Sequence, residues 1–488
     1  MPQSGGKRTF QTKLFIDGSF SDAAENQSFE TVNPSTGKAL ASIAAAQAAD
    51  VDRAVQAAHR QFEDGDWSRL SGAERGRLLY RLADLLERDK ELIASLESMD
   101  NGKPIGMALH ADLPATIDTF RYFAGWADKL EGRAIPTGGA FGRSVHAYTV
   151  REPIGVIGAI SAYNAPTMYV GWKGAAALAA GNTIVIKPPE EAPLTTLYIA
   201  KLFQEAGFPN GVFNVVSGLG AVAGTALVKH PLISKVSYTG STDVGRIIAQ
   251  QAAENLKPVT LELGGKAPQI VLEDADLQSA IPTIAMGFIA NQGQICAAGT
   301  RILVHRSRAR EVAEALGAAA KSQKLGDSLD PNNTMGPLTT ERSLARMQVY
   351  VEAGRSEGAK LLAGGARHEG DGWFFEPTVF LGNNGMRICQ EEIFGPVATV
   401  VPFDTVDEAI AIANATRYGL NAGIFTSNVS LAHSLARRIR TGAVWINGWG
   451  LIDARLPWGG VKASGYGREN GFAGIEDVTY EKAISVLL

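Results

Sequence analysis

The chain is predicted to be an α/β protein whose parallel sheets are covered by helices on both faces, and three observations carry that prediction. From residue 153 onward, short apolar runs at 156–160, 183–186, 212–216, 235–238 and 259–263 alternate with helical segments such as 195–205 and 245–253, the pattern of βαβ units. A second region of the same kind runs from about 265 to about 463, with helices at 280–290 and 406–414 and strands at 301–305 and 442–446. Composition agrees: 45% hydrophobic and 20% charged residues with 54 glycines describe an ordinary α/β protein. A chain of 488 residues is too long for one core, so two or three domains are expected. In open parallel sheets, ligands collect at the carboxyl ends of the strands.

The segments before and after the alternation have their own signals. Residues 13–20 read as a strand with an Asp17-Gly18 turn. Residues 50–62 have apolar positions at helical spacing, and Ser71-Gly-Ala-Glu74 forms a capping box before a helix over 75–86. Residues 144–150 alternate like a strand, and the chain ends on the apolar run 484–488. A strand-like apolar end pairs either within its own subunit or with another one.

Charge and cysteine usage exclude several classes. A net charge of −4 leaves no basic footprint for nucleic acid or anionic lipid. With Cys296 and Cys389 as the only thiols, a disulfide framework is not expected and a reducing compartment fits. Residues 1–7 lack an apolar signal core, and no apolar run approaches about 18 residues, so the expectation is a cytoplasmic protein with no membrane partner. The seven histidines have no metal-ligand spacing, so neither a metal site nor a serine triad is expected.

Cys296 lies in Asn291-Gln-Gly-Gln-Ile-Cys296-Ala-Ala-Gly-Thr-Arg301, between the helix at 280–290 and the strand at 301–305. A lone cysteine is ordinarily a small buried hydrophobe. Glycines and amides around it are poor packing material, however, and they let backbone N–H groups approach a reacting atom. Glu262 sits in the apolar strand 259–263, where a carboxylate is costly without a partner or a task. Desolvation would suit it to general-base work, while an ion pair with Lys266 is the competing reading. Asn164 ends the first strand of the alternation as an oxyanion donor or as part of a plain Asn-Ala-Pro turn. Lys187 and Glu190, at the end of another strand, suit ribose hydroxyls or a solvated turn.

Three glycine-rich stretches follow strands. Ser217-Gly-Leu-Gly-Ala-Val-Ala-Gly224 only imitates a dinucleotide fingerprint, with one residue too many between its last glycines. Tyr238-Thr-Gly-Ser-Thr-Asp-Val-Gly245 joins a strand to a helix, so Gly240 and Ser241 face a phosphate-binding helix end or simply cap it. Leu261-Glu-Leu-Gly-Gly-Lys-Ala-Pro268, which holds Gly264, is the third.

In order along the chain, Ile16-Asp-Gly, Tyr163-Asn-Ala-Pro, Lys187-Pro-Pro-Glu, Tyr238-Thr-Gly-Ser-Thr, Leu261-Glu-Leu-Gly-Gly-Lys, Gly293-Gln-Ile-Cys, Glu391-Glu-Ile-Phe-Gly-Pro-Val397 and Pro457-Trp-Gly-Gly-Val-Lys-Ala-Ser-Gly-Tyr-Gly-Arg-Glu469 resemble the NAD(P)-dependent aldehyde dehydrogenase superfamily nearly end to end. The resemblance implies a Rossmann-type cofactor domain over 1–130 and 151–263, a catalytic domain over 264–463, and a small β oligomerisation extension over 131–150 and 464–488. It implies Cys296 as nucleophile, Asn164 as oxyanion donor and Glu262 as base. Oxidation of an aldehyde to the acid would run through a thiohemiacetal and a thioester. It places Lys187 and Glu190 at the adenosine ribose, Ser241 at the pyrophosphate, and Glu392 and Phe394 at the nicotinamide ribose and ring. Gly240 and Gly264 complete these cofactor contacts. Glu190 would favour NAD by repelling the 2′-phosphate of NADP, although NADP stays possible beside Lys187.

Tyr163 and Ala165 depart from the tryptophan and phenylalanine that often flank the family's asparagine. Together with Tyr169, Trp172, Ile295, Ile452 and Trp458 they would line a tunnel for an apolar or aromatic aldehyde. Arg455, in the same loop as Ile452, would meet an acidic substrate or stand as a surface arginine. A homodimer or homotetramer is implied. The rivals are a CoA-acylating relative, which Glu262 speaks against, and a non-catalytic structural relative.

Overall fold

The computed structural model describes residues 10–488; the signal-core reading of residues 1–7 lies outside them. Strands Val156–Ile160, Thr183–Lys187, Phe213–Val215, Lys235–Thr239 and Val259–Glu262 are parallel and form the centre of an eight-stranded sheet. Across that sheet they run in the order 259–262, 235–239, 156–160, 183–187, 213–215. The order reverses between Val156–Ile160 and Lys235–Thr239, which is where a ligand crevice opens in a doubly wound sheet.

Alternate side chains feed two cores, which explains the continuous apolar runs. Ile157, Ala159, Ile184 and Ile186 pack with helices Gly72–Arg88, Leu113–Ala124, Pro166–Ala180 and Leu194–Ala206. Val156, Val185 and Val236 pack with Ala48–Glu63 and Thr242–Ala253 on the other face. The predicted capping box is formed: the Glu74 amide donates to Ser71 Oγ at 3.3 Å and the Ser71 amide to Glu74 Oε2 at 2.8 Å. The expected Asp17-Gly18 turn within 13–20 is formed, joining Leu14–Ile16 and Ser19–Ser21 as a hairpin. Asp17 and Gly18 both take positive φ there, as a two-residue hairpin loop requires.

The second region builds a seven-stranded sheet. Six parallel strands, Thr378–Leu381, Val397–Phe403, Arg301–His305, Pro268–Val271, Asn421–Phe425 and Ala443–Ile446, lie side by side, with Lys360–Ala363 antiparallel at one edge. Gly465–Tyr466 returns to the first sheet and pairs antiparallel beside Leu261 and Glu262. The strand-like ends are longer than their apolar cores suggested. Val145–Pro153 pairs in register with Thr479–Leu487 of its own chain, and Ala134–Ile135 completes a three-stranded sheet. Among the described residues no helix is long and apolar enough to cross a membrane.

Candidate active site

Asn164 occupies the turn between strand Val156–Ile160 and helix Pro166–Ala180, beside the reversal of strand order. Its backbone is clamped from two sides. Asn291 Nδ2 donates to the Asn164 carbonyl at 3.0 Å, and Asn101 Nδ2 donates to the Tyr163 carbonyl at 3.3 Å. The Tyr169 hydroxyl donates to Asn164 Oδ1 at 3.0 Å.

Cys296 follows helix Leu277–Ile289 in an irregular loop. Asn291, Gln292 and Gly293 have successive φ values of 48°, 55° and 67°. Left-handed backbone at two non-glycine residues costs energy and persists only when the surroundings enforce it. Here Gln292 Nε2 donates to the carbonyls of Gly102 at 2.9 Å and Pro337 at 2.6 Å, while Asn291 holds the Asn164 turn. The two loops are therefore fastened to each other. Cys296 is partly exposed and packs with Ala165, Tyr169, Trp172, Trp445 and Trp458. Burial pushes its thiol well up, and the nearby Glu262 and Glu392 carboxylates raise it further.

Glu262, 3% exposed, ends the edge parallel strand, and among the described residues both its carboxylate oxygens are buried without a hydrogen-bond partner. The competing Lys266 ion pair is not formed, for Lys266 Nζ is likewise buried without a partner among the described residues. Burial raises the Glu262 carboxyl well above its usual range, and the Glu469 carboxylate adds to the shift while Lys173 opposes it. Lys173 Nζ pairs with Glu469 at 2.8 Å and donates to Ser237 Oγ at 3.0 Å. Neither Lys173 nor Glu469 was singled out from the sequence. Lys173 sits on an apolar helix whose burial on all sides only the fold reveals.

The residues expected to hold a dinucleotide cluster at the carboxyl ends of the strands. Lys187 Nζ lies 3.3 Å from Glu190 Oε2, which also accepts from the Gly220 amide at 3.0 Å. The weak fingerprint at 217–224 thus stands beside the Lys187–Glu190 pair. Ser241 caps helix Thr242–Ala253, accepting from the Val244 amide at 3.3 Å, and the Gly240 amide donates to the Glu262 carbonyl at 3.0 Å. Glu392 Oε1 accepts from the Gly265 amide at 3.1 Å, and burial raises its carboxyl to about 7. A Cβ at Gly264 would stand 2.2 Å from Glu392 Oε2, and one at Gly265 would stand 2.2 Å from the Cys296 carbonyl. At Gly265, where the neighbour is backbone, only a glycine allows this approach, whereas at Gly264 the Glu392 carboxylate would have to shift. Phe394, at φ 56°, meets the Tyr163 ring edge-on at 5.7 Å. A helix N-terminus, a lysine–glutamate pair at a strand end and a glycine-lined carboxylate are the donors and acceptors that a dinucleotide's phosphates and riboses require, so the residues fit one.

Ala165, Tyr169, Trp172, Ile295, Ile452 and Trp458 gather in one apolar cluster around Cys296, while Tyr163 sits apart against Phe394. Sequence reasoning missed Trp445, Trp449 and Leu420 in the same cluster. Trp445 and Trp449 lie in and just after strand Ala443–Ile446, and their place at its carboxyl end was the available signal. Arg455 is exposed and pairs with Asp453 of its own loop at 2.6 Å.

An aldehyde dehydrogenase family model matches residues 20–484. The chain is 46% identical over 473 residues to an aldehyde dehydrogenase of Aspergillus niger, covering 96% of this chain and 94% of that protein. It is 44% identical over 480 residues to the mitochondrial aldehyde dehydrogenase of Rattus norvegicus, covering 98% and 92%. Among solved structures, the NAD+ complex of aldehyde dehydrogenase from Bacillus cereus superposes with a TM-score of 0.96 at 46% identity, covering 98% of this chain and 97% of that one.

Proposed function

The chain belongs to the aldehyde dehydrogenase family, is an oxidoreductase acting on aldehydes and uses NAD, and from that premise we propose that it converts an apolar or aromatic aldehyde to the free acid by cysteine catalysis. Cys296 attacks the aldehyde carbon as a thiolate, and the Asn164 Nδ2 donor with the Cys296 backbone N–H holds the resulting oxyanion. Lys187, Glu190, Gly240, Ser241, Gly264, Glu392 and Phe394 would hold NAD+, which would supply the hydride acceptor and a positive charge favouring the thiolate. Glu262 then takes a proton from a water, which attacks the acyl group on Cys296 and releases the acid.

One observation carries the hydrolytic reading: a buried carboxylate, Glu262, with neither oxygen engaged and a raised pKa. A structural carboxylate at such depth would be paired. The Trp172, Trp445 and Trp458 wall supports an apolar or aromatic aldehyde, and the Arg455–Asp453 pair argues against a cation kept free for an acidic one. The reading retains the domain division drawn from the sequence, except that Gly465–Tyr466 joins the first sheet, and a cytoplasmic location, which two unbridged cysteines fit. It also includes a homo-oligomer, for which the exposed outer edge of Thr479–Leu487 is available.

NADH formation on aliphatic, aromatic and charged aldehydes, with and without CoA, tests this. Turnover on apolar and aromatic aldehydes without CoA is expected; turnover that requires CoA would replace the hydrolytic reading with the acylating one.

A further inference from the structure

We infer that Tyr169 is a positioning residue, whose hydroxyl decides which end of the Asn164 amide faces the aldehyde oxygen. The inference rests on the reading of Asn164 as an oxyanion donor. A side-chain amide carries a donor at one end and an acceptor at the other, with nearly the same shape either way round. Only the nitrogen end stabilises an oxyanion, and the oxygen end would repel it.

The other clamps on this turn cannot make the choice, because they hold backbone. Asn291 grips the Asn164 carbonyl, Asn101 grips the Tyr163 carbonyl, and the Glu97 carboxylate accepts from the Thr167 amide at 3.1 Å. The Asn164 side chain is engaged by Tyr169, which donates to Oδ1 at 3.0 Å in a buried setting. Among the described residues that hydroxyl hydrogen-bonds to Asn164, so a hydroxyl that accepted from the amide would leave its own hydrogen buried without an acceptor. Such a hydrogen is the costlier group to strand.

The geometry is local and rigid. Tyr169 lies in the first turns of helix Pro166–Ala180, where side chains lean back toward the helix N-terminus and so toward Asn164. Its ring is 4% exposed, meets Trp172 edge-on at 6.1 Å and lies under Lys173 Nζ at 5.8 Å. Burial and the neighbouring Cys296 and Glu469 charges hold the phenol well above its usual pKa, so it stays protonated as a donor.

A double-mutant cycle tests the role. Tyr169→Phe removes one oxygen and keeps the ring. It is expected to slow the pre-steady-state burst of NADH about tenfold, the loss of one buried hydrogen bond, with NAD affinity and the ranking of aldehydes unchanged. Asn164→Ala is expected to slow the burst about 10²–10³-fold, and Tyr169→Phe in that background is expected to add nothing. An unchanged burst in Tyr169→Phe overturns the inference, as do equal losses in both backgrounds or a loss confined to one aldehyde. A wild-type burst in Asn164→Ala would instead overturn the oxyanion reading beneath it.

Discussion

Two groups of buried charge lie within this fold, and they are treated oppositely. Lys103, Glu97 and Asp112 are almost wholly inaccessible, yet Lys103 Nζ pairs with Glu97 at 2.8 Å and with Asp112, and the second Glu97 oxygen accepts from the Thr167 amide and hydroxyl. Glu262 is as deeply buried and its two oxygens accept nothing from the described residues. A buried ion that is paired and hydrogen-bonded has its desolvation cost offset and serves the architecture. One left open is retained at a cost, and such groups gather where chemistry is done. The first group anchors the start of helix Pro166–Ala180, and with it the Asn164 turn. The second is the group proposed as the base.

Substitutions should separate the two groups, and the nucleophile sets the upper limit of effect. Cys296→Ala is expected to abolish aldehyde oxidation while NAD binding by calorimetry persists; residual turnover at the wild-type rate would remove Cys296 from the mechanism. Glu262→Gln should form the acyl-enzyme and release it about 10²–10⁴-fold more slowly, giving a burst of NADH and little after it. Its melting temperature should not fall, because the change relieves an unpaired buried carboxyl. If Glu262→Gln melted early with intact turnover, the contrast between the groups would be inverted.

Lys103→Met should do the reverse of Glu262→Gln. Leaving two carboxylates unpaired is expected to cost about 3–5 kcal/mol of stability by denaturant unfolding. NADH release per folded molecule should change far less. Acidity gives the mildest test. The Glu262 carboxyl is raised, so its protonated, inactive form persists above the usual carboxylate range. Acyl release should therefore rise about tenfold per pH unit below that pKa and level off above it. A release rate flat from pH 5 to about pH 9 would contradict a base with a raised pKa.

Much of this was legible along the chain. The five runs at 156–160, 183–186, 212–216, 235–238 and 259–263 became adjacent parallel strands, since burial on both faces writes itself as continuous apolar sequence. The motif residues Asn164, Glu262, Cys296 and Glu392 lie in loops or at strand ends, where short sequence patterns carry the information. The partners that tune them were not legible. Glu469 reaches Lys173 across 296 positions of sequence, and Gly465–Tyr466, inside the Pro457–Glu469 motif, flanks Glu262 from about 200 positions away, which the motif itself does not reveal. The left-handed backbone at Asn291 and Gln292 carries no local signal either, because both residue types occupy many conformations.

By itself the amino-acid order determined the elements, their α/β class and the identity of the chemical groups, because hydrophobic periodicity and turn chemistry act over a few residues. Tertiary structure alone decided which groups are charged, paired or open. It stripped solvent from Glu262 while leaving it unpartnered, gave Lys173 to Glu469, and set a tyrosine hydroxyl on the Asn164 amide. Those outcomes depend on burial and on contacts between distant segments, and neither quantity exists until the chain has closed on itself.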